Sequence, residues 1–140
     1  MCGSTSGCVT YGTTSDFNGA GGTGIPGMFA MRATKISIRD VIDGTSNTLM
    51  AGEEDIPNGS DSMWGLWQWM DPFAVTSTVR GINNTVPAAG YYGQGFGSQH
   101  EGGAHFLMTD GAVRFISENV SITLFCQVGT KDKNEIVGEF

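Results

Sequence analysis

The chain is poor in charge, in basic residues above all. Only 15% of its 140 residues are charged, with 7 Lys and Arg against 14 Asp and Glu, a net charge of -7. Such a surface repels phosphate backbones and anionic membranes, so nucleic-acid binding is not expected. Proline is scarce at 4 residues, and Gly does not recur every third position, which excludes collagen. No apolar run approaches the about 20 residues that span a bilayer. No basic stretch followed by an apolar one opens the chain, so no signal peptide is read. Histidine is limited to His100 and His105. Their five-residue separation places them on opposite faces of a strand, which argues against joint metal binding.

Cysteine is also sparse, and the three are an odd number. Cys2 and Cys8 are spaced to close a small disulfide loop, while Cys126, in an apolar stretch, reads as a buried free thiol. No second Cys or His pair completes a zinc site.

What the chain does have is glycine, 22 residues of it, with abundant Ser and Thr. Gly costs about 1 kcal/mol in a helix interior, so a helix bundle is excluded and turns and strands are favoured. A chain of this length forms one domain, 1–140. Within it, 1–27 is a Gly/Ser/Thr-rich segment and 71–98 an irregular insertion. Residues 98–140 carry a hairpin followed by a helix and a strand. The low-Lys, acidic composition suits an exported protein.

Four local patterns stand out. Ser37 with Asp40 three residues on suggests a capped helical turn with Ile38, Val41 and Ile42 on one face, stopped by Gly44. Thr48 to Glu53 reads as a strand with Leu49 and Ala51 on one face and Met50 on the other. Asp110-Gly111 between apolar runs signals a tight hairpin, in which Phe106 and Met108 alternate with Leu107, and Val113 and Phe115 with Arg114. Ser121 caps a helix from Ile122 to Val128 that Gly129 ends, and 135–138 reads as a last strand. Short strands are also expected at 9–12 and 28–32.

Candidate chemistry is thin. His100 is expected to bond nearby backbone or Asp110, because buried polar groups need partners. A hydrolase built on His100 and Asp110 would need a nucleophile, and Ser98-Gln99-His100 is no nucleophile elbow. Gly19 to Gly24 lacks the lysine of a phosphate loop. Trp64, Trp67 and Trp69 read as aromatic core or as a ligand platform. Glu54, Asp55 and Asp61 are oxygen donors of the type that hold calcium, or a solvated acidic edge. No other cofactor is suggested.

Two segments taken together resemble a known family. One runs from Ile38 through Asp43-Gly44-Thr45-Ser46-Asn47-Thr48 to Gly52-Glu53. The other runs from Ser98 to Ile116, with His100, nine residues, then Asp110-Gly111, and with Gly102 and Gly103 between. The pair resembles a large bacterial family of prepilin-like proteins. That resemblance implies an α+β, pilin-like globular head, mainly antiparallel sheet with short helices and long Gly-rich loops. It also implies a cell-envelope or extracellular location, with other pilin-like subunits or envelope components as partners. The long N-terminal helix of such proteins does not occur in these 140 residues, so an apolar sheet face is expected to stand open and to favour self-association. The motif residues themselves read as devices that specify the fold. A structural, non-enzymatic role follows from this, with a calcium- or carbohydrate-binding surface module as the alternative.

Overall fold

A computed structural model describes residues 27–29, 35–54, 78, 81–83, 96–134, 137–138 and 140. The order of elements is a 3₁₀ turn (Ile38–Asp40), β1 (Leu49–Gly52), β2 (Gly103–Met108), β3 (Val113–Ser117) and α1 (Ile122–Val128). The strands form one antiparallel sheet in the order β1-β2-β3. With α1 this is an α+β arrangement. No helix among the described residues is long and apolar enough to cross a membrane. The strands expected at 9–12 and over most of 28–32, and two residues of the one at 135–138, lie outside the described residues. Of the last, Val137 packs against the core without strand pairing.

The hairpin forms where the Asp-Gly signal placed it, but by a different turn. Gly111 N–H donates to Met108 O (3.0 Å) and Met108 N–H to Ala112 O (2.8 Å). Gly111 alone takes a positive φ (+90°), and Asp110 does not. This is a three-residue loop, a type I turn closed by a left-handed glycine, in place of the two-residue turn with two positive φ angles. Asp110 Oδ1 accepts from Ala112 N–H (2.9 Å), which braces the turn from within.

Strand alternation sorts the side chains onto two faces. Phe106 and Met108 point into the core and are fully buried. Phe106 meets Phe96 and Phe125 edge-on, with ring centroids 5.0 and 5.4 Å apart. Leu49, Ile82, Ala104, Ile116 and, from α1, Phe125 and Val128 complete this core cluster. On β3 the inward residues are Arg114 and Ile116, and the Arg114 guanidinium lies over the Phe140 ring at 5.3 Å. Val113 and Phe115 therefore face outward, 65% and 46% exposed.

Two sequence expectations fail at β1 and the 3₁₀ turn. Leu49 is buried but Ala51 is not, because a register irregularity between them moves Ala51 opposite Leu107 on the outer face. The turn at Ile38–Asp40 has only three residues, closed by Ser37 N–H to Asp40 Oδ2 (2.7 Å). It is too short to build an apolar stripe, so Val41 is buried while Ile38 and Ile42 are exposed. The helix bounds, in contrast, are as expected, although Ser121 makes no side-chain cap bond and Gly129 stays in the right-handed region.

Cys126, 2% exposed on α1, is disulfide-bonded. This corrects the expectation of a free thiol. The expected Cys2–Cys8 loop lies outside the described residues. The partner of Cys126 lies outside them as well.

Candidate functional site

The two sequence motifs, distant along the chain, interlock. Thr109 N–H and Oγ1–H both donate to Thr48 O (2.9 Å each), and Asp110 N–H donates to Thr45 O (3.0 Å). The tip of the β2–β3 hairpin is thereby tied to the Thr45-Ser46-Asn47-Thr48 link. That link is itself wound tightly. Asn47 N–H and Thr48 Oγ1–H both donate to Gly44 O, and Gly44 takes φ +96°. Asp43, 8% exposed, receives Lys133 N–H (3.0 Å) and Asn134 N–H (2.6 Å) on its two carboxylate oxygens. These contacts brace the fold. Gly103 does so by close approach, since a Cβ there would collide with the Ile116 carbonyl oxygen.

Glu53 and His100 do something else. Glu53 follows β1, His105 lies in β2, and His100 sits on the bend that leads into β2. Antiparallel pairing brings the end of β1 beside the start of β2, with Glu53 N–H donating to His105 O (3.2 Å) and Gly97 N–H to Glu53 O (3.0 Å). The side chains converge there. Glu53 Oε1 lies 3.3 Å from His100 Nε2, and Oε2 lies 3.6 Å from His105 Nδ1. The two imidazoles meet edge to face with centroids 4.8 Å apart. One donor atom from each of the three side chains lies within 4.8 Å of the other two. The site is partly open, with the side chains 38–55% exposed.

The opposite-face argument for His100 and His105 therefore fails. It assumed a strand through both, whereas β2 begins at Gly103 and the chain at His100–Gly102 bends, with Gly102 at φ +82°. Where His100 was expected to bond nearby backbone or Asp110, its imidazole instead faces Glu53, and Asp110 is engaged in the hairpin turn.

Glu53 is held as the anion. The His105 backbone N–H (2.8 Å to Oε2) lowers its pKa most, followed by the Ser98 hydroxyl. Desolvation opposes them, and electrostatic attraction to His100 and His105 adds a smaller lowering. A lowered carboxyl pKa stabilises the folded state above the ordinary glutamate range and loses that contribution as pH falls through the native value. A side-chain NMR titration should place the Glu53 midpoint below that of an ordinary glutamate, and Ser98→Ala should move it upward. A midpoint at or above the ordinary value would contradict the hydrogen-bond account.

Ser98 is itself positioned by Asn83. Asn83 Oδ1 accepts Ser98 N–H (2.8 Å), and Asn83 Nδ2–H donates to Glu118 Oε2 (2.8 Å). Asn83 adopts φ +55°, a conformation that asparagine tolerates better than most residues. Sequence reading placed it only in the long insertion. Its one signal was the Asn83-Asn84 pair in a turn-rich stretch.

The other candidates are not brought to this site. Trp64, Trp67, Trp69, Asp55 and Asp61 lie outside the described residues. Glu54 is described but does not join the Glu53, His100 and His105 donor group.

No curated protein matches this chain, and no solved structure does. A family model does match, over residues 2–123, which includes both interlocking motifs and all three converging side chains. The chain belongs to the family described as protein of unknown function (DUF1559).

Proposed function

We propose that this chain is a non-enzymatic structural domain of the cell envelope or extracellular surface, a pilin-like head that works by assembly. The observation that carries the reading is the outer face of the sheet. Register places Ala51, Leu107, Val113 and Phe115 side by side on it, and Val113 and Phe115 are largely solvent-exposed. A sheet with an apolar outer face needs a covering layer, and β3 is an edge strand among the described residues. The disulfide at Cys126 supports the location, since such bonds persist in oxidising compartments. The acidic, Lys-poor composition agrees with it.

The covering layer we assign is a second copy of this chain or a pilin-like subunit of the same kind. Sedimentation tests it. The wild-type chain is expected to self-associate as concentration rises. The double substitution Val113→Ser, Phe115→Ser removes about 2 kcal/mol of apolar burial, a roughly thirtyfold weaker association, and leaves the fold intact. A wild-type chain that stays monomeric at its highest soluble concentration would overturn the assembly reading.

A further inference from the structure

The geometry points to a site for a first-row divalent transition ion, with zinc as the representative, held by Glu53, His100 and His105. Two imidazoles and one carboxylate are the donor set that such ions take when positions are left open for water or an exchangeable ligand.

The spacing fits. Two donors bound to one ion at about 2.1 Å stand about 3.0–3.5 Å apart for the angles of octahedral or tetrahedral coordination. His100 Nε2 lies 3.3 Å from Glu53 Oε1, within that range, and His105 Nδ1 lies 3.6 Å from Oε2, just beyond it, so each imidazole faces its own oxygen of one carboxylate. Both exceed the about 2.7–2.9 Å of a charge-assisted hydrogen bond, so neither His is closed onto the carboxylate. One donor atom from each of the three side chains lies within 4.8 Å of the other two.

The surroundings suit the role as well. Ligating carboxylates are held by outer hydrogen bonds, and Glu53 has the His105 backbone N–H and the Ser98 hydroxyl. The Asn83 bridge to Ser98 and Glu118 steadies that outer layer. The Phe115 ring packs edge-on against His105 at 5.1 Å and restricts how that imidazole turns. The exposure of His100 leaves an entry path from solvent. Calcium and magnesium prefer oxygen donors throughout, and two imidazoles disfavour them.

The test uses the untagged, chelator-stripped chain with its disulfide intact and its remaining thiol alkylated. Zinc chloride is titrated by calorimetry while the imidazole signals are followed by NMR. Saturable binding of one ion per chain is expected, with both His100 and His105 signals shifted and no response to calcium chloride. His100→Gln, at an exposed position, should keep the fold and weaken zinc binding by about tenfold or more, and Glu53→Gln should do the same. Failure of the wild-type chain to bind zinc would overturn the site. So would zinc binding that His100→Gln and Glu53→Gln leave unchanged while their circular dichroism matches wild type. Cobalt gives an independent readout, since its visible spectrum should report nitrogen and oxygen donors in the wild-type chain and lose intensity in His100→Gln.

Discussion

Reduction of the disulfide is expected to remove about 2–5 kcal/mol of stability. Cross-linking restricts the unfolded chain, and the restriction grows with the loop that is closed. Cys126 is also buried on α1, between Phe125 and Gln127, where α1 lines the core through Phe125 and Val128. Thermal unfolding with and without reductant measures the loss, and Cys126→Ser should reproduce it without reductant. Cys2→Ser and Cys8→Ser separate the partners, since one should match Cys126→Ser and the other should stay near wild type. Thiol counting in denaturant should find one free cysteine. Three free thiols, or a melting temperature indifferent to reductant, would remove the bond.

That bond was hard to read in the sequence. Nothing local to Leu124-Phe125-Cys126 distinguishes a buried bridge from a buried thiol. The local features were legible. A 3.6-residue pattern opened by Ser121 and ended by Gly129 set α1, and alternation on either side of Asp110-Gly111 set β2 and β3. Alternation alone does not say which face is inward. On β3 it is the Arg114 face, because Arg114 has the Phe140 ring to cover and Ile116 fills the core. The Glu53, His100 and His105 convergence was illegible for a third reason. Glu53 and His105 are 52 residues apart, and they meet only through the pairing of β1 with β2 and the bend at His100. The motif residues were visible in the sequence, but their division into structural Asp43 and Asp110 on one side and donor-bearing Glu53 and His100 on the other required the register.

Asp43→Ala is expected to cost about 3 kcal/mol, a fall of roughly 10 °C in Tm for a domain of this size. The carboxylate is almost fully buried, and each oxygen accepts a separate backbone N–H, from Lys133 and Asn134. Hydrogen bonds to a charged acceptor contribute about 1.5–3 kcal/mol each, and their donors would be left without this partner. The same segment is gripped from the other side, because Ile42 N–H and Asp43 N–H both donate to Lys131 O (2.6 and 3.1 Å). Asn134 adopts φ +55°, a left-handed conformation that asparagine tolerates, and so presents its N–H to Asp43. Loss of Asp43 should therefore release residues 131–134 first, and with them Val137 and Phe140, which pack against the core. Hydrogen exchange should show it as lost protection at Lys133 and Asn134, with β2 and β3 less affected. Asp43→Asn keeps one acceptor and turns an N–H toward the other donor, so it should recover less than half of the loss. An Asp43→Ala protein with wild-type Tm and unchanged exchange at Asn134 would show that the Lys131–Asn134 segment is held by its other contacts.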